Sequence, residues 1–148
     1  MSEIADFLRA RYAERRAVAE AAAEKAGSGD WRYKPGDDCV SWVEFDEYAT
    51  PVNRETWWPL VTEAGSYVGD TLDDEIGNHI AANGPDDVIA DLDAKLAIVD
   101  LMDRTLDAAE GDSEVDHYGG LVAAEETLCR LAQPFAGHPD HKGEEWTP

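Results

Sequence analysis

The sequence predicts an α+β fold: an N-terminal helix, a small three-stranded antiparallel sheet, then three helices and a docked C-terminal tail. Three observations carry that expectation. The hydrophobic period changes from helical to β-type after Gly27-Ser28-Gly29, and it returns to helical from Gly69 onward. Phe135 and Trp146 stand near the C-terminus, with Pro134, Pro139 and Pro148 stiffening the path, where most chains fray into small polar residues. At 148 residues the length suits one domain, 1–148, with its own core.

The first helix covers residues 2–26, with Ser2 as its cap and Glu3 and Asp6 in its first turn. Ile4, Phe7, Leu8, Tyr12, Val18, Ala19 and Ala22 form its apolar face, and Gly27 stops it. Trp31 to Tyr33, Cys39 to Tyr48 and Glu55 to Thr62 are β-type runs within a sheet region spanning 30–63. Pro35-Gly36-Asp37-Asp38 and Thr50-Pro51-Val52-Asn53 are the turns between them. Alternation sets Cys39, Ser41, Val43 and Phe45 on one face, with Val40, Trp42 and Glu44 on the other.

The helical region covers 70–133. A short helix opens at Asp70 or Thr71 and runs through Ala82, where Asn83-Gly84-Pro85 breaks it. Pro85 starts the longest helix, which reaches about Ala109. Its seam is Ile89, Leu92, Leu96, Val99 and Leu106, with Val88 and Met102 alongside. Gly111 to Asp116 reads as an acidic loop, and a last helix runs from Tyr118 or Gly120 to Ala132, packing Leu121, Val122, Leu128 and Leu131. Residues 134–148 form a clasp-like tail.

Net charge is −21, and it is uneven. Residues 1–34 carry +1, while the remainder carries −22. Such a field repels nucleic acid and anionic membrane and attracts basic proteins or cations; solubility or a salty cytoplasm would favour the same composition. No long apolar window exists and Met1-Ser2-Glu3-Ile4 is no signal peptide, so a cytoplasmic protein of a bacterial or phage-infected cell is expected. Cys39 and Cys129 lack metal-like spacing and read as reduced core residues.

The tail resembles a family of small actinobacterial and actinophage proteins known as a domain of unknown function, whose members end in a pattern like LRLLALPYADHPDYREEWRP. Arg130, Leu131, Ala132, Pro134, Phe135, Ala136, His138, Pro139, Asp140, Glu145, Trp146 and Pro148 carry the likeness. Residues 78–85, Asn-His-Ile-Ala-Ala-Asn-Gly-Pro, with Val88, Leu92 and Lys95, look like that family's HIARHDPARVLREVEAK segment. The N-terminal Asp6-Phe7-Leu8-Arg9-Ala10-Arg11 and Trp31-Arg32-Tyr33 add to the match. His141 departs from it, standing where Tyr is usual. Weaker similarity joins the chain to Ead-type early proteins of lambdoid phages. The resemblance implies a phage-associated accessory protein and brings no catalytic residue.

Three groups of side chains are candidates for function. Asp86, Asp93, Asp100 and Asp107 recur every seven residues on the long helix, with Asp103 between the last two. A seven-residue step drifts only ~20° per repeat, so the four form a stripe. It is a docking ridge for a basic host protein, a sparse imitation of DNA phosphates, a set of acids paired with Arg9, Arg15 and Arg16, or simply a solvated edge.

Trp42, Trp57 and Trp58 crowd the sheet; with Arg32, Lys34, Arg54 and His79 nearby they are candidates for a nucleotide-like ligand. Convergence of Arg32, Lys34 and Arg54 beside Trp57 or Trp58 would support that ligand; scattered bases paired with acids would argue against it. His79 is either a cleft residue or a helix-end histidine bonding a carbonyl.

His138, Asp140 and His141, joined by His117 or Glu144, are weak metal candidates; the alternative is a turn locked by the Asp140 carboxylate. No nucleophile motif surrounds Ser41, Ser66 or Cys39, and no phosphate loop is present. The expectation is a non-enzymatic protein without cofactor that binds a host protein, with small-molecule sequestering and DNA mimicry as alternatives.

Overall fold

The computed structural model describes residues 2–60, 72–109 and 119–148. Its elements are α1 (Glu3–Ala26), β1 (Trp31–Arg32), β2 (Ser41–Phe45), β3 (Glu55–Pro59), α2 (Asp74–Ala81), α3 (Pro85–Ala109) and α4 (Gly120–Ala132). Two 3₁₀ turns, Gln133–Phe135 and Gly143–Trp146, follow. The protein is therefore α+β, with an antiparallel sheet in the order β1-β2-β3. It divides into two compact units, Met1–Arg15 with Leu92–Pro148, and Arg16–Asp91.

In the first unit the beginning of α1 packs with α4, the later part of α3 and the tail. Ser2 Oγ accepts from the Ala5 N–H at 3.3 Å, capping α1 as its sequence predicts. Ile4, Ala5, Phe7, Leu8 and Tyr12 are buried, together with Leu92 and Val99 of α3. From α4 the buried residues are Ala124, Leu128 and Ala132. Leu128 is buried as expected, whereas Val122, about 200° around the helix from Ala124, is exposed.

The tail is a clasp. Trp146 is only 6% exposed, its ring 5.0 Å from that of Phe7. Phe135 sits edge-on to Phe7 at 6.1 Å and tilted against Tyr12 at 5.8 Å. The Arg15 guanidinium covers Phe135 at 4.4 Å, and Gln133 Nε2 donates to the Trp146 carbonyl at 3.0 Å. Lys142 pairs with Glu3, which ties the tail to the first turn of α1.

In the second unit Gly27, at φ 101°, ends α1. The strands are shorter than their sequence suggests because turn chemistry consumes the ends of the long β-type run. The Asp46 N–H donates to the Arg54 carbonyl and Asp46 Oδ1 accepts from the Tyr48 N–H, so Asp46 to Tyr48 belongs to the turn. Val18, expected on the apolar face of α1, is exposed. Helix α2 starts at Asp74, capped by Asp73 Oδ1. The expected starts at Asp70 or Thr71, the end of the third strand run at Val61–Thr62, Tyr118 and the loop Gly111 to Asp116 lie outside the described residues.

Gly77 of α2 is buried against Tyr33: a Cβ there would lie 2.6 Å from the ring. Tyr33 Oη is fixed 2.7 Å from Asp74 Oδ1 and 2.9 Å from the Leu72 carbonyl. Loss of solvent, then the Asp74 carboxylate, raises the Tyr33 pKa.

Candidate functional site

The sheet derives its chemistry from its register. Trp31 pairs with Trp42, and Trp42 with Trp58. Cross-strand partners share a face, so three tryptophans form one row across all three strands. The Trp42 and Trp58 rings stack at 5.9 Å with an interplanar angle of 20°. Trp58 Nε1 donates to Glu44 Oε2 at 3.2 Å, keeping a carboxylate at the edge of the row. Val43 pairs with Trp57 on the opposite face, where Ser41 and Val43 are buried.

The tryptophan row is covered unevenly. Beside Trp31 and Trp42, the last turn of α1 borders a hollow of about 480 Å³ lined by Ala22, Lys25, Ala26, Pro59 and Leu60. A Cβ at Gly27 would stand 3.1 Å from Trp42, so glycine permits this approach as well as the turn. Trp58 retains 46% exposure. Beyond it the β2–β3 hairpin carries a second hollow of about 570 Å³, where Glu44, Asp46 and Glu47 alternate with Phe45 and Tyr48. Phe45 is 63% exposed and Tyr48 90%. Phe45 shares the strand face of Ser41 and Val43, as alternation sets it, but β2 runs past the buried part of that face.

The three bases proposed to gather around an anionic ligand do not form one free patch. Arg32 lies 5.8 Å from the Trp57 ring, but its guanidinium is shared between Asp30 at 2.6 Å and Glu55 at 2.9 Å. The Asp30 and Glu55 hydrogen bonds raise its pKa. Lys34 Nζ lies 4.0 Å above the Trp57 ring. Arg54 Nε donates to the Ala49 carbonyl and holds the hairpin turn. The His79 side chain is exposed; its main-chain carbonyl accepts from Asn83 Nδ2 at 2.8 Å. This differs from an imidazole bonding a carbonyl.

The aspartates of α3 have separate fates. Asp103 is 3% exposed, so it belongs to the interior rather than to a ridge. It accepts from the Ser2 N–H at 2.8 Å and from Arg9 Nη2 at 2.9 Å. Burial pushes its pKa up, but the Ser2 N–H and the Arg9 guanidinium outweigh this and hold the carboxyl below its usual range. Arg9 also binds Asp100 at 2.8 Å and Asp6 at 3.0 Å, and its own pKa rises, chiefly through Asp100. Asp86 packs on Gly29, whose carbonyl accepts from the Asp86 N–H at 3.2 Å. Asp93 and Asp107 have interactions of their own. Of the arginines expected to answer the stripe, Arg15 covers Phe135 and Arg16 pairs with Glu20.

In the tail, the His138 and His141 rings lie 5.7 and 5.8 Å from Phe7. His138 Nδ1 accepts from the Asp140 N–H at 3.1 Å, and His141 Nδ1 from the Gly143 N–H at 3.0 Å. The turns are thus locked by imidazoles instead of the Asp140 carboxylate. Among the described residues no group of three or more His, Cys, Asp or Glu is placed to hold a metal ion; His117 lies outside them. Ser41 is buried in the sheet, and Ser66 lies outside the described residues. Both cysteines are free, and burial raises the pKa of each thiol. A third hollow, about 340 Å³, lies beside Cys129 with Glu3, Glu125 and Glu145 in its lining. Among the described residues no helix is long and apolar enough to cross a membrane.

Sequence reasoning selected Trp42 and Trp58 but missed Lys25 and Phe45. Lys25 reads as an ordinary helix-end cation. The Asp46-Glu47 pair after Phe45 was the available signal that the strand had left the core.

Fold and site define a small α+β protein with a tryptophan-lined sheet and an acidic, aromatic hairpin. The chain belongs to the family of unknown function DUF6221, whose model matches residues 1–148. No curated protein and no solved structure matches it.

Proposed function

We propose that this chain is a non-enzymatic accessory protein that binds a basic protein of the host cell through its hairpin. The observation that supports this reading is the exposure of Phe45, Tyr48 and Trp58 among Glu44, Asp46 and Glu47. Exposed aromatic groups supply apolar contact, while the carboxylates steer a positively charged partner and define its register. The hairpin is favoured over the α3 stripe because Asp103 is buried and Asp100 is engaged by Arg9. The resemblance to actinophage proteins favours a phage-associated role in a bacterial cytoplasm.

The test is capture from bacterial lysate followed by titration of the purified captured protein against variants. Tyr48→Ala with Phe45→Ser, and separately Glu44→Gln with Asp46→Asn and Glu47→Gln, should each weaken binding about tenfold or more. The second set should also flatten the salt dependence. Binding that survives both sets but disappears with Asp93→Asn, Asp100→Asn and Asp107→Asn would return the interface to α3 and overturn the hairpin assignment.

A further inference from the structure

We propose that the hollow between the last turn of α1 and the Trp31–Trp42 end of the sheet binds a small, flat, apolar carboxylate. The inference goes beyond protein docking, because it concerns a different hollow and a different charge. At about 480 Å³, the space falls within the usual size of small-molecule clefts. Trp31 and Trp42 offer aromatic surface, Pro59 and Leu60 close the apolar lining, and Ala22 and Ala26 occupy little room on α1. The alanines are four residues apart and therefore share one helix face. Larger side chains there would fill the space that the two indoles border.

Charge selects the ligand class. The hairpin hollow includes Glu44, Asp46 and Glu47, and the hollow beside Cys129 includes Glu3, Glu125 and Glu145. In a chain of 33 acidic and 12 basic residues, the described residues that line the hollow beside α1 include no carboxylate and one ammonium, Lys25. Among the described residues Lys25 forms no ion pair, whereas Arg32 is held between Asp30 and Glu55. Repulsion from more distant acids is damped beyond about 8 Å at physiological ionic strength. An apolar ring system lies against the indoles while its carboxylate meets Lys25 at the rim. Among the described residues of the lining, a cationic ligand would meet the ammonium without a counter-charge, and a highly charged nucleotide would find one cation.

Calorimetric titration of the full chain with 2-naphthoate and with the uncharged 2-naphthamide tests the assignment. Naphthoate should bind about tenfold tighter than the amide or better. Lys25→Gln should abolish that preference while leaving the amide affinity in place. Ala26→Glu should abolish naphthoate binding with the melting curve retained, and Ala22→Phe provides an independent blockade if that variant unfolds. Tyr48→Ala should leave naphthoate affinity unchanged, which separates this site from the protein-docking hairpin. Equal affinity for acid and amide, absence of naphthoate binding, or insensitivity to Lys25→Gln would overturn the proposal.

Discussion

Replacing Trp146 with Ala tests whether the tail is part of the core. The indole is 6% exposed and lies 5.0 Å from Phe7 and 5.3 Å from His141. A buried tryptophan removes about 150–250 Å² from water; at ~25 cal/mol per Å² this corresponds to roughly 4–6 kcal/mol. That is an upper bound, because the unfolded chain already hides part of the surface. Measured Trp→Ala replacements in cores cost about 3–5 kcal/mol, so about 4 kcal/mol is the working value. The Gln133 hydrogen bond survives, since it uses the main-chain carbonyl of residue 146. For a chain of this length, the melting temperature should fall by roughly 8–16 °C in far-UV circular dichroism. Trp146→Phe should lose less, and removal of the exposed Pro148 should change little. A Trp146→Ala shift under about 3 °C would refute the clasp.

Other outcomes follow from single contacts. Gly77→Ala should destabilise the protein despite the usual helix gain of about 1 kcal/mol, because the new methyl meets the pinned Tyr33 ring at 2.6 Å. Overpacking costs about 1–3 kcal/mol; pairing with Tyr33→Ala should reverse the sign, which urea denaturation can measure. Asp103 has a folded pKa below its unfolded value, so its stabilisation is present above about pH 4 and is lost as pH falls through the folded value. Urea titrations down to about pH 2.5 should show less acid sensitivity for Arg9→Gln, which removes one of the groups depressing that pKa. Finally, Cys39 and Cys129 should react slowly with a disulfide reagent near neutral pH and quickly in denaturant, because burial favours their neutral thiols. Both cysteines are half-buried, and labelling of the folded chain as fast as in denaturant would contradict the raised pKa of their thiols.

Periodic and local features were readable in order along the chain. Ser2 and Gly27 mark the ends of α1, Pro85 starts α3, and adjacent Trp57 and Trp58 take opposite faces of a strand. Each depends on neighbours within a turn or on strand alternation. Phe135 and Trp146 were also legible as anchors, because large aromatics near a chain end stabilise only when buried.

The α+β class, the antiparallel strands and the family kinship follow from the order of residues alone. Which charges are available depends on how the chain packs. Asp103 stands between two members of the acidic stripe, yet Arg9 and the Ser2 N–H, 94 and 101 residues away in the chain, draw it inside. Lys25 has no motif, yet chain reversal at Gly27 sets the end of α1 beside Trp42. Helix and strand periods arise from local geometry, whereas exposure and pairing depend on groups distant in sequence.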